Sequence, residues 1–139
     1  MIVLKYKFKA IIILTAIFLV SCGIITPQAN IRNHTIEEID VSEDRIIYKG
    51  HMHSKIIMVT DYLTRIENDA MYIKIMHKTP LSSKGARTWF FEREAPMSDN
   101  IEKIFFEDNK RQIMVWEKSQ GYDKFEIEDM WKDELKKLK

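Results

Sequence analysis

The sequence predicts an α+β fold in which an antiparallel sheet of five to six strands, mostly a meander, carries one C-terminal amphipathic helix. Short segments rich in β-branched and aromatic residues, separated by turn-forming residues, recur between residues 45 and 117. After Gly121 the apolar residues change to helical spacing. We expect residues 36–139 to form one small domain, because about 100 residues suit a single hydrophobic core.

Six segments have the composition of strands. They are Arg45–His51, Lys55–Ile66, Ala70–His77, Arg87–Glu94, Ile101–Phe106 and Gln112–Glu117. In the third segment Met71, Ile73 and Ile75 alternate with more polar residues, which predicts that these three side chains face the core. The turn residues at 67–69 and 107–110 predict two hairpins, because Asn and Asp tolerate left-handed conformations.

The last 13 residues have the pattern of an amphipathic helix. Their apolar residues are Ile127, Met130, Trp131, Leu135 and Leu138, with acids early in the segment and lysines late. This charge order matches the helix dipole. We therefore expect the helix to bury Trp131 and Leu135 against the sheet.

The N-terminus has the features of a secretion signal. Lys5, Lys7 and Lys9 precede the uncharged stretch 10–20, which is long enough for a signal-peptide core but shorter than the roughly 20 residues that span a bilayer. The stretch ends in Leu19-Val20-Ser21-Cys22, which resembles the lipobox of bacterial lipoproteins. The resemblance covers only about the first 22 residues. An uncleaved signal anchor, or a free thiol at Cys22, is the alternative.

The lipoprotein resemblance implies that residues 1–21 are a cleaved signal peptide and that Cys22 carries acyl chains such as palmitate. Residues 22–35 would form a flexible spacer, since they are rich in turn formers. Gly23 stands where an aspartate would retain a lipoprotein in the inner membrane. In a cell with two membranes, this implies the inner leaflet of the outer membrane, facing the periplasm; the sequence does not say whether the cell has one membrane or two.

Charge and cysteine content exclude several function classes for the mature chain. Removal of residues 1–21 leaves 19 basic and 21 acidic residues, a formal charge of −2, which gives no electrostatic case for nucleic-acid binding. Because Cys22 is the sole cysteine, the domain has no disulfide and no thiolate nucleophile. The sequence contains no nucleophile elbow, zinc-protease motif or phosphate-binding glycine loop. We therefore expect neither catalysis nor a cofactor.

Two groups of residues are candidates for binding. His51 and His53 would lie about 7 Å apart on one side of a strand, and with nearby methionines they suit copper or silver. The alternative is that the methionines fill the core and the histidines are solvated. The aromatic runs at residues 89–91 and 105–106 would each place one ring in the core and another under the helix, unless outer rings bind a partner.

These observations predict a membrane-anchored, non-enzymatic protein-binding module of the cell envelope. An immunity or inhibitor protein directed against an exported toxin or hydrolase is one form of this function. An accessory lipoprotein subunit of a secretion, conjugation or other envelope machine is the first alternative, with an exposed strand edge pairing with the partner. A periplasmic copper- or silver-binding protein that uses His51 and His53 is the second.

Overall fold

The computed structural model describes residues 26–80 and 89–138. Within these two segments, two short 3₁₀ helices, Ile31–Asn33 and Lys118–Gln120, accompany the strands and one α-helix. The strands are β1 (Gln28–Ala29), β2 (His34–Val41), β3 (Arg45–Met52), β4 (Met58–Glu67), β5 (Ala70–Lys78), β6 (Phe90–Pro96), β7 (Lys103–Glu107), β8 (Gln112–Glu117) and β9 (Lys124–Glu126), and the α-helix is α1 (Glu128–Lys137).

The strands form two sheets. In the five-stranded sheet, β4 pairs with β5 along its whole length, while β7 and β1 pair with successive parts of the opposite edge of β5, and β8 pairs with β7. The second sheet has the order β6-β3-β2-β9 and is antiparallel throughout. The β5–β7 pair is parallel, whereas β4–β5 and β7–β8 are antiparallel hairpins.

The inner faces of the two sheets pack against each other and form the core. The ring centroids of Tyr48 on β3 and Phe106 on β7 are 5.2 Å apart in an edge-to-face arrangement. Met71, Ile73 and Ile75 are fully buried on β5, which confirms the face predicted from their alternation. Alternate residues of each strand therefore supply the apolar layer between the sheets.

The C-terminal helix closes the core as expected. Trp131 is fully buried, and its indole Nε1 donates a hydrogen bond to the carbonyl oxygen of His34 at 3.1 Å. Leu135 and Leu138 pack against the core and are partly buried. Acids occupy the first turn and lysines the last, which complements the helix dipole.

The predicted α+β class is confirmed, but the strands form two sheets and not the single sheet of five to six strands that the sequence predicted. In the described part of the chain nine strands form two sheets, and the longest strand that the sequence pattern did not predict is β2. A β-bulge at Glu37, between Ile36 and Glu38, shifts the phase of β2. The buried residues Ile36, Ile39 and Val41 therefore do not follow a simple period of two.

Residues 28–35, which the sequence pattern assigned to the spacer, belong to the folded domain. Gln28 and Ala29 pair with β5, and Ile31 is fully buried. The backbone N–H of Ile31 donates to the carboxylate of Asp108 at 3.0 Å. This bond joins residues 77 positions apart, so nothing in the local sequence indicates it. No helix in the described part of the chain combines the length and hydrophobicity that crossing a bilayer requires.

Candidate functional site

His51 and His53 lie at one end of the sandwich, beside two aromatic residues that come from β6 and the residue before it. We call His51, His53, Lys55, Trp89 and Phe90 the end patch. The His51 ring centroid lies 5.9 Å from that of His53, 6.0 Å from that of Phe90 and 6.4 Å from that of Trp89, on which it stacks. The Lys55 ammonium is 5.4 Å from the centre of the Trp89 ring.

Local features of β2 hold the two imidazoles in place. The bulge turns Glu37 so that its carboxylate accepts a hydrogen bond from His51 Nδ1 at 2.9 Å. The hydroxyl of Thr35 and Nε2 of His53 are hydrogen bonded at 2.7 Å. Burial, followed by the charge of His51, lowers the pKa of His53. Each histidine therefore has one ring nitrogen engaged by the neighbouring strand.

The structure brings His51 and His53 together, as the strand pattern predicted. Within residues 26–80 and 89–138, no group of three or more such side chains could hold a metal ion. Met52, between the two histidines, is fully buried in the core. Cys22, the predicted lipid-attachment residue, lies outside the described residues.

The outward-facing rings of the two aromatic runs, Phe90 and Phe105, do not lie under α1, contrary to expectation. Phe91 and Phe106 are buried in the core as their alternation requires. Phe90, however, is 67% exposed on the outer face of its sheet. Phe105 stacks on Tyr72 at 5.1 Å on the outer face of the other sheet. The exposure of Phe90 marks the end patch as a candidate contact surface.

The free edge of β4 is a second candidate surface. Within the described residues, this ten-residue strand pairs only with β5. Leu63 and Ile66 are 45% and 56% exposed, although both are large and apolar. We call residues 61–67 the β4 edge. An edge strand presents unpaired backbone donors and acceptors, so another extended chain can add to it.

His34 is a buried histidine that the sequence analysis did not single out. Its ring lies between Phe91 and Trp131, with centroids 6.2 and 5.5 Å away. Neither ring nitrogen has a hydrogen-bond partner among the residues that the structure describes. Burial, assisted by the charges of His77 and His53, lowers the pKa of His34 to about 3. The sequence holds one signal for this burial: His34 precedes Ile36 by two residues, and side chains two residues apart on a strand point to the same face.

Comparison of the chain with protein-family models, with curated proteins and with solved structures found no match. The observations that bear on function are therefore the lipobox-like sequence, the end patch and the β4 edge. Each of them concerns contact with another molecule, either a membrane or a protein.

Proposed function

We propose that this chain is a lipoprotein attached to the cell envelope through acylated Cys22, where it acts as a non-enzymatic protein-binding module. Its partner adds an extended segment to the β4 edge. The observation that carries this proposal is the free edge itself, which is long and flanked by exposed apolar side chains. The lipobox-like residues 19–22 support the membrane anchor.

The geometry of the β4–β5 hairpin indicates which backbone groups are available. Glu67 and Ala70 form the closing pair of a two-residue turn, in which Asn68 has a positive φ of 55°. Since hydrogen-bonded pairs alternate along an antiparallel ladder, Tyr62, Thr64 and Ile66 direct their N–H and C=O groups away from β5. The N–H of Tyr62 agrees with this assignment, because it donates to the side chain of Asp61 at 2.8 Å and not to β5.

Side chains along the β4 edge define the kind of segment that would bind. Leu63 lies on the outer face of the sheet and Ile66 on the inner side, so a partner strand would meet an apolar contact on each face. Arg65 is engaged by Glu107 in two hydrogen bonds of 3.0 Å. Asp61 is exposed and has no ion-pair partner among the described residues. A segment with alternating apolar residues and a basic residue near Asp61 fits this edge.

The anchor is tested by intact-mass spectrometry of the protein isolated from its native membrane. We expect a polypeptide that begins at Cys22 and carries the additional mass of acyl chains. The matched variant Cys22→Ser should accumulate uncleaved and without acyl mass. An unmodified wild-type chain that begins at Met1 would overturn the proposed anchor.

Strand addition is tested with a photo-crosslinking residue at position 63 in cells. We combine it with Thr64→Pro, which removes an outward N–H without breaking the β5 ladder, and with the control Thr64→Ala, which keeps that N–H. We expect the crosslinked partner to decrease at least tenfold with proline and to persist with alanine. Both variants should remain folded, as monitored by tryptophan fluorescence. Equal crosslinking in the two variants would contradict strand addition.

The identity of the crosslinked partner separates the two forms of this function. An exported toxin or hydrolase would show that the chain is an immunity or inhibitor protein. A component of a secretion or conjugation apparatus would instead show an accessory subunit, which the free edge accommodates equally well because strand addition does not depend on the partner's fold. Mass spectrometry of the product distinguishes them.

A further inference from the structure

The end patch lies at the end of the sandwich where the polypeptide enters from its N-terminus. Gln28 pairs with His77 near the end of β5, and the Asn33 amide nitrogen is 3.2 Å from His77 Nε2. The N–H of His53 donates to the carbonyl of Asn33 at 2.9 Å. The chain thus enters beside the end of β3, from which the two histidines of the end patch come.

The anchor proposed for Cys22 would hold this end close to the membrane. Residues 23–27 are the whole connection between Cys22 and β1. Even fully extended, a connection of this length spans only about 20 Å. The domain therefore has little freedom to lift its entry end off the lipid surface.

Charge divides the two ends of the sandwich. At the entry end, residues 26–35, 52–58, 77–80 and 89–91 contain no Asp or Glu and include Arg32, Lys55 and Lys78. The acids beside these segments are engaged by the protein itself, since Asp108 accepts from Arg111, Glu37 from His51 and Glu128 from Lys132. The turns and connections at the opposite end contain the acids Glu43, Asp44, Glu67, Asp69, Asp99 and Glu102. An anionic lipid surface attracts the first end and repels the second.

The apolar residues of the entry end suit the interface between headgroups and acyl chains. Phe90 and Ile56 are 67% and 54% exposed. Trp89 lies beside Phe90, with ring centroids 6.2 Å apart, and the Lys55 ammonium lies near its ring. Aromatic side chains prefer the membrane–water interface, and lysines beside them can reach the phosphates.

We propose that the end patch, together with Ile56 and Lys78, rests on the surface of an anionic phospholipid bilayer. This orientation rests on the proposed lipid anchor at Cys22. Trp89, Phe90 and Ile56 enter the headgroup–acyl boundary, while Lys55 and Lys78 face lipid phosphates. The β4 edge remains free for a protein partner.

The orientation is tested with the full mature lipoprotein, reconstituted into vesicles of phosphatidylethanolamine and phosphatidylglycerol with or without brominated acyl chains. Bromine quenches tryptophan at short range, and Trp116 and Trp131 are buried within the domain. We expect brominated lipid to reduce the Trp89 emission at least twofold. Quenching should disappear in Trp89→Phe, which leaves Trp116 and Trp131 as unquenched references.

A second variant keeps Trp89 as the fluorescent reporter and changes the neighbouring side chains that would contact the lipid. Phe90→Glu combined with Ile56→Glu should leave Trp89 emission in plain vesicles but reduce its quenching at least twofold, since both exposed side chains become charged. A protein that floats with the vesicles yet shows no quenching overturns the orientation and leaves the anchor intact; the end patch would then face a protein partner. A chain without acyl mass that fails to float overturns both proposals.

Discussion

Acid should destabilise this domain through His34, and the His34→Leu variant should remove much of that effect. His34 is 2% exposed, and its pKa is lowered to about 3 from the ordinary value of 6.5. The unfolded chain therefore binds a proton at pH values where the folded chain does not. Stability is complete well above pH 6.5 and is lost progressively as the pH falls from 6.5 towards 3.

The magnitude follows from the two pKa values. At pH 5 the protonation of the unfolded histidine lowers the free energy of unfolding by about 2 kcal/mol relative to pH 7.5. At pH 7.5 the substitution itself should cost little, because leucine has a similar volume and the two ring nitrogens have no hydrogen-bond partners within the described segments to lose. His53 and His77, whose pKa values burial also lowers, remain in the variant.

Urea unfolding, monitored by tryptophan fluorescence between pH 7.5 and pH 5, measures this difference. We expect the wild-type free energy of unfolding to fall by about 2 kcal/mol more than that of His34→Leu over this range. The control Met52→Leu changes a fully buried residue that does not titrate, so it should keep the wild-type pH dependence. Identical pH dependence in wild type and His34→Leu would refute the assigned role of burial.

Two further substitutions test how the sheets are held. Gly50→Ala should lower the free energy of unfolding by about 3 kcal/mol, because it overpacks the core. The added Cβ would lie 2.2 Å from the Thr35 carbonyl oxygen and 2.8 Å from Phe91 Cζ. A loss below about 1 kcal/mol in urea unfolding would contradict this prediction. Asp108→Asn should cost about 2 kcal/mol and accelerate amide exchange at Ile31, which donates to that carboxylate. Unchanged exchange at Ile31 would show that Asp108 does not hold this segment.

The parts of the fold that the sequence predicted are those with local determinants. Strand β5 has strict alternation, and its turn with β4 contains Asn68 at positive φ, as turn chemistry requires. Helix α1 combines apolar spacing with charges ordered along its dipole. Each of these signals lies within about ten residues of sequence, where periodicity is informative.

The parts that the sequence did not predict depend on distant partners. The 3₁₀ helix at Ile31–Asn33 is held by Asp108, whose pKa is lowered because hydrogen bonds from backbone N–H groups of Ile31, Lys110 and Arg111 outweigh the effect of burial. Strand β9 has three residues and, among the residues that the structure describes, pairs with β2 alone. The division into two sheets depends likewise on which strands pair, and composition does not encode that choice.

The candidate surfaces were predicted only in part for the same reason. The period of a strand correctly placed His51 and His53 on one side, whereas the arrival of Trp89 and Phe90 beside them depends on the register that sets His51 opposite Phe90. The bulge that directs Glu37 to His51 is also a consequence of pairing with β3. Sequence pattern identifies the face of a strand, but pairing determines its neighbours.

The two proposals constrain each other through the direction of β4. This strand begins with Met58 at the entry end of the sandwich and finishes with Glu67 at the opposite end. Ten residues of strand extend about 33 Å, so a domain that rests on its entry end directs the β4 edge away from the lipid surface. A partner segment could then pair along β4 without entering the headgroup region, while the five residues after the proposed anchor at Cys22 would keep that edge within a few nanometres of the membrane. Partners that approach along the bilayer are therefore favoured over those held far from it.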